Sequence, residues 1–378
     1  MSVLLLATYD TKQEEADYLI TALTALGVPV ETIDISLHAG GAHWSPKEKI
    51  AGMAEATERA ISEISHKPQT GRRMVVAIGG GTGGQIAIRV LRSLPVAMPK
   101  VLVTTLPFDP RYIIADSAIV LVPTIADLCG LNATTRAALD RAAAITGGLY
   151  DATLPTGPAS LAPSIGVTAL GVTGPGTDAL CAALKAQGEE VTVFHANGFG
   201  GAAFSRWAQI GAFKSVVDYT PHELTRCYIA GVAADMPDRF TSTGHLPRVV
   251  LPGGVNFIGM GAPELMPESY LARPHYSHSP LFTHVQCSEA EIIKCANILG
   301  TALKAATGPV RVLIPMGGFS SEDRPGGAIE SPDLRAAFAN ALETHVPLTR
   351  LDGHINDAAV AEAAVAALND ITKDDTNA

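Results

Sequence analysis

The chain has 378 residues, 47% hydrophobic and 17% charged, with a formal net charge of minus ten. That length exceeds one ordinary hydrophobic core and predicts two domains, while the composition excludes disordered and fibrous classes. Apart from Arg72–Arg73, Lys and Arg occur singly, which argues against nucleic acid as a partner, and MSVLLLATYD is too short and lacks the basic residues of a leader, so a cytoplasmic location is expected.

The first apolar run, SVLLLAT, ends in a polar turn and is followed by the amphipathic stretch EEADYLITALTALG with its closing Gly. PVETIDI and RMVVAIGG read as strands, QIAIRVLRSL as a helix and KVLVTTL as a further strand. Short continuous apolar runs alternating with helices predict a parallel, doubly wound sheet. A stretch rich in Gly, Pro, Ser and Thr over 146–164 is the expected boundary, giving domains 1–160 and 161–378. The second half repeats the order: SIGVTALGVT, the helix TDALCAALKAQG, then EEVTVFHANG. Two further correspondences are expected, VVLPGGVNF with VVAIGGGTGG and VRVLIPMGGFS with VLVTTLPFD. The five cysteines, an odd number without a C-x-x-C pair, read as free buried thiols in a reducing compartment.

The sharpest motif is the run Gly79, Gly80, Gly81, Thr82, Gly83, Gly84 between the strand MVVAI and the helix QIAIRVL. Backbone amides at a helix start, with no side chains in the way, form an anion site. The run satisfies G-x-G-x-x-G, but the next strand ends in Thr104 and Thr105 instead of an acid for a ribose hydroxyl, which disfavours NAD. No Walker sequence is present. Asp10, Thr11 and Lys12, at the end of the first strand, complete the candidate cofactor set of Gly80, Gly81, Thr82, Gly83, Gly84 and Thr104. Lys12 would neutralise phosphate oxygens and Asp10 would hold a magnesium ion through water. The plain alternatives are a tight packing turn and helix caps at Asp10 or Thr11; Asn132 reads as a cap farther on.

In the second half His195 ends the strand VTVF ahead of a glycine-rich turn, a place for a proton carrier. Gly200, Gly201, Gly253, Gly254, Gly317, Gly318 and Ser320 are expected to line one crevice and bind substrate, with His278 and Asp352 as further catalytic candidates. A lone His is more often hydrogen-bonded structure. The His spacing lacks a zinc pattern.

Taken together, ATYDTK, GGGTGG, DLCGLN, VFHANGFGG, LPGGVNF, HYSHSP, PMGGFSSEDRPGG and DGHINDAAVA carry a resemblance over essentially the whole chain. The chain resembles an uncharacterised bacterial and fungal family similar to the N-terminal ATP-binding domain of the tomato mosaic virus resistance protein. The resemblance implies two similar Rossmann-like subdomains, ATP near the glycine-rich loop, and a homodimer. The chain departs from relatives at LPFDPRYIIADSA, where they carry S-P-Y-V-G, and at His278–Ser279, where they often carry H-N. The expected function is an ATP-dependent enzyme acting on a small anionic metabolite; the alternative is a nucleotide-binding regulatory or scaffold protein without turnover.

Overall fold

In a computed structural model, residues 2–38, 44–66, 72–107, 109–152 and 163–375 are described, and the chain divides into two compact units, Met1–Ser160 and Leu161–Ala378. Most of the expected boundary stretch, and the last residues of the polar tail, lie outside the described residues.

The first unit is one parallel sheet of β1 (Ser2–Ala7), β2 (Val30–Asp34), β3 (Arg72–Gly79), β4 (Lys100–Thr104) and β5 (Ile119–Pro123), in the order β2-β1-β3-β4-β5. Strand β1 is buried throughout, and its side chains alternate between two cores. Val3 and Leu5 join Leu19, Leu23 and Leu139 of the helices Tyr9–Ala25 and Ala133–Asp151. Leu4 and Leu6 join Met53, Ala60, Ile86 and Leu91 of the helices Pro46–His66 and Gly81–Ser93. A strand covered on both faces must be apolar at every position, which is why SVLLLA was readable. Truncating Leu5 to Ala would cost about 2–5 kcal/mol.

The second unit has a six-stranded sheet of β6 (Ser164–Ala169), β7 (Val191–His195), β8 (Phe213–Asp218), β9 (Arg248–Val250) and, after an insertion, β13 (Val310–Pro315) and β14 (Thr349–Leu351). Its order, β14-β13-β9-β8-β6-β7, is parallel throughout and, read from β7, repeats the first unit's order over five strands. The two halves are thus similar Rossmann-like, doubly wound units, as the sequence predicts. The insertion is a separate antiparallel sheet of β10 (Phe257–Met260), β11 (His275–Ser279) and β12 (Phe282–Gln286), in the order β10-β12-β11.

The expected correspondence between halves shifts by one rank. VVLPGG ends β9, which occupies the place of β4 and not of β3, and VRVLIP matches β5. The rank of β3 belongs to FKSVVD, where Lys214 and Ser215 interrupt the apolar run and hide a strand. The cysteines also differ from expectation: all are free, but only Cys287 and Cys295 are buried, while Cys129 and Cys227 are exposed. Among the described residues no helix is long and apolar enough to cross a membrane.

Candidate functional site

Register brings the C-terminal ends of the first unit's strands level, Ala7 beside Ile78, Gly79 beside Thr104 and Thr104 beside Pro123. The chain order reverses between β1 and β3, the place where such sheets take ligands. There the helix Gly81–Ser93 starts from Gly80 without a side-chain cap. The amides of Gly81, Thr82 and Gly83 have no acceptor among the described residues; the first internal bond is Gly84 N to Gly80 O, 2.7 Å. Gly83 and Gly84 are packing glycines: a Cβ at Gly83 would lie 2.9 Å from Thr8 Cγ2, and one at Gly84 would lie 3.2 Å from Thr104 Oγ1. Gly80 and Gly81 are open, a Cβ at Gly80 reaching only Asp127 Oδ1 at 4.0 Å.

The residues after β1 fall differently from expectation. Asp10 and Thr11 lie inside the helix Tyr9–Ala25, whose cap position is Thr8, and Thr11 Oγ1 donates to Thr8 Oγ1 at 3.0 Å. Asp10 is exposed, with its amide on Ser36 Oγ at 3.0 Å. Lys12 bends the helix and its ammonium donates to the Leu128 carbonyl, away from the role of a free cation. Asn132 does cap its helix, accepting from Thr134 N and Thr135 N. A phosphate fits the open amides. For magnesium the fit is weaker, because no group of three or more His, Cys, Asp or Glu among the described residues is arranged to hold a metal.

In the second unit the expected substrate loops are closed on themselves. The amide of Gly201 donates to Glu223 Oε1 at 3.1 Å. Those of Gly253, Gly254, Gly317 and Gly318 donate to the carbonyls of Tyr219, Phe319, Gly353 and Pro315. A Cβ at Gly200 would overlap the His195 carbonyl. Ser320 is fully buried, its hydroxyl taking Asn256 Nδ2 at 3.1 Å and its carbonyl meeting His354 Nε2 at 2.9 Å. These glycines serve close packing, and the amides of Gly201, Gly253, Gly254, Gly317 and Gly318 are not free to meet a ligand. Asp352 is exposed after the edge strand β14 and joins none of this network.

The residues that do converge surround Arg226. His222, fully buried, meets Gly254 O through Nδ1 at 2.7 Å and accepts from Arg226 Nε through Nε2 at 3.2 Å, which fixes its proton on Nδ1. Its ring lies 4.5 Å from that of Phe257, which stacks on His284 at 4.1 Å, which in turn stacks on His278 at 4.7 Å. Tyr276 OH meets His284 Nδ1 at 2.8 Å. Phe257 and Gly259 share one face of the small sheet by two-residue periodicity, and cross-strand register sets Gly259 and Tyr276 opposite His284, with His278 at an irregularity of the strand. Burial, then the neighbouring charge of Arg226, keeps His222 far below its usual pKa; burial, then His278 and Arg226, pulls His284 down to about 3. His195, exposed at the end of the edge strand β7, is lowered by partial desolvation and then by Arg226. His278 was legible in the sequence. His222, Arg226, Tyr276 and His284 were missed, although H-Y-S-H carries the two-residue spacing of a strand face.

Behind this face lies a buried ion network. Asp218, at the end of β8, receives Arg239 Nη1 and Nη2 at 2.8 and 2.9 Å and Thr168 Oγ1 at 2.7 Å. Arg239 Nε donates to Glu223 Oε2 at 3.1 Å, and all three residues are fully buried. Burial alone would favour a neutral Asp218, but the bidentate arginine overrides it and holds the carboxyl below its usual range; Glu223, with a single arginine bond, is pushed up by burial.

The family model for the C-terminal domain of an uncharacterised protein family, UPF0261, matches residues 162–372, and that for its N-terminal domain matches residues 41–154. A UPF0261 protein of Rhizobium meliloti is 36% identical over 98% of both chains, and one of Mesorhizobium japonicum is 31% identical over 98% of this chain and 99% of that one. The ToMV resistance protein Tm-1 of Solanum lycopersicum is 28% identical over 84% of this chain and 43% of its own length. With both domain models matched in order and full-length relatives on either side of one-third identity, the chain belongs to the uncharacterised family UPF0261.

Proposed function

We propose that the first unit binds ATP, accompanied by magnesium, at the Gly80–Gly84 turn. The observation that carries this reading is the uncapped helix start at the point where strand order reverses, with the amides of Gly81, Thr82 and Gly83 lacking an acceptor among the described residues. Three converging amides and the positive end of a helix suit a phosphate. Thr8 and Thr104 close the floor, while Asp127 faces Gly80 and, with Asp10, supplies carboxylates for a hydrated magnesium ion brought by the nucleotide. The ATP itself would supply a transferable phosphoryl group.

Gly81→Asp is the variant that tests the site. A side chain at this position meets only Pro107 Cγ at 3.8 Å, and an acid in a helix's first turn is itself mildly stabilising, so the fold should persist. Magnesium ATP at about 100 times its dissociation constant should stabilise the parent chain by about 2.7 kcal/mol and leave Gly81→Asp unmoved. Equal melting temperatures with and without ATP in the parent would end the reading, and an equal shift with NAD would reassign the cofactor.

The finer reading is an ATP-dependent enzyme acting on a small anionic metabolite, with His195 as its proton carrier. Its support is an exposed imidazole that partial desolvation and then Arg226 hold in the neutral form, with a ring nitrogen available to accept a proton. His195→Asn should then leave ATP binding intact and lower turnover of the substrate by about 10²–10⁴. The closed loop amides at Gly253 and Gly317 favour the alternative, a nucleotide-binding scaffold without turnover, since they offer no oxyanion hole. Unchanged turnover in His195→Asn would remove His195 from the chemistry. A homodimer is part of the proposal, and light scattering that returns the single-chain mass of 39.2 kDa would refute it.

A further inference from the structure

We propose that the second unit carries a binding site for a small zwitterion, an aliphatic α-amino acid, in a cavity at the N-terminal ends of its parallel strands. The cavity has a volume of about 290 Å³, at the small end of the range for ligand pockets. Ile165 of β6, Pro247 just before β9 and Leu368 of the helix Ala358–Asp375 give it an apolar wall. Ser215 of β8 lies in that wall, 1% exposed, and its hydroxyl has no partner among the described residues. A buried hydroxyl costs free energy until something bonds it, and the cavity in front of it has room for that partner. Water would satisfy the hydroxyl but leave the wall wet, whereas an aliphatic ligand covers both.

The mouth supplies the charges. Register between β6 and β8 slips by one residue here, Ser164 pairing with Phe213 and Ile165 with Ser215. The extra residue, Lys214, therefore reaches the same cavity as its neighbour Ser215, where a regular strand would send the two side chains to opposite faces. Its ammonium pairs with the carboxylate of Glu189, just before β7, and both side chains are partly exposed. An exposed pair of this kind is worth little and opens readily. An amino acid lays its carboxylate on Lys214 and its ammonium on Glu189, replacing one matched pair by two; a ligand with a single charge would leave one of the two side chains alone. The side-chain amide of Asn369, which lines the same cavity without a partner among the described residues, adds a donor and an acceptor. The site is independent of the nucleotide reading of the first unit.

The test follows calorimetric binding of L-leucine to the full chain, beside isocaproate, which lacks its ammonium group, and isoamylamine, which lacks its carboxylate. Leucine is expected to bind, and each singly charged analogue to bind at least about tenfold more weakly, the worth of one charge-assisted hydrogen bond. Lys214→Gln should weaken leucine by a similar factor. Ser215→Ala removes no hydrogen bond from the folded chain and should weaken leucine by about two- to tenfold. Ser215→Leu fills the cavity with the chain's own side chain and should abolish binding. If that variant fails to fold, the two milder ones decide. No binding of leucine to the parent at millimolar concentration would overturn the site, and so would equal affinity for leucine and both analogues. Unchanged leucine binding in Lys214→Gln and Ser215→Ala, or in folded Ser215→Leu, would overturn it as well.

Discussion

Arg239→Met is expected to lower the stability of the protein by about 3–5 kcal/mol, measured as a shift of the urea midpoint at neutral pH. The arginine satisfies two carboxylates at once, and all three groups are out of contact with water. Methionine fills similar volume but leaves Asp218 with Thr168 as its remaining side-chain donor and Glu223 with the amide of Gly201. A buried carboxylate without its counter-ion must protonate or drag in water. Neutralising the acids as well, with Asp218→Asn and Glu223→Gln, should recover part of the loss, because the penalty lies in the orphaned charge. A loss under about 1 kcal/mol for Arg239→Met would mean the network is hydrated or already neutral.

Acid should weaken the second unit earlier than its carboxylates alone would predict. His222 and His284 hold their protons less tightly in the folded chain than an unfolded His does, for reasons of burial first. Above about pH 6.5 neither state takes up the proton and the stability is complete. As pH falls from there toward 3, the unfolded chain binds protons that the folded rings refuse, so stability drops by up to about 1.4 kcal/mol per pH unit for each ring. Glu223, raised by burial, acts in the opposite sense lower in the range. The difference between the parent and His284→Phe isolates one ring. Phenylalanine preserves the stack on Phe257, orphans the Tyr276 hydroxyl at a roughly pH-independent cost, and should reduce the slope between pH 6 and 4 by about 1.4 kcal/mol per unit. Parallel stability curves for the two chains would contradict the neutral state of His284.

Where the sequence was readable, one physical signal stood alone. SVLLLA and MVVAI are apolar at nearly each position because both faces of the sheet are covered. FKSVVD failed that signal: its Lys214 is exposed and its Asp218 is buried only because Arg239, 21 residues on, neutralises it. No local pattern announces such a pairing. The same blindness applied to the cluster of Arg226, His222 and His284, because the strands of the insertion that carries His284 are short and polar. The glycine loops misled in the other direction. Gly253 and Gly317 look like open ligand floors, yet their amides close on Tyr219 and Gly353. Whether a glycine makes room for a ligand or for its own backbone depends on tertiary neighbours.

The antiparallel insertion begins and ends at one point, where Cys287 N donates to Asn256 O at 3.0 Å. A segment with joined ends makes little demand on the length of what lies between them, since the entropy of closing a loop grows only with the logarithm of its length. The hairpin and its flanking turns can therefore be exchanged as a cassette, grafted or shortened while the parallel sheet keeps its register. The wall of rings facing Arg226 is the part of this scaffold most open to evolution and to redesign.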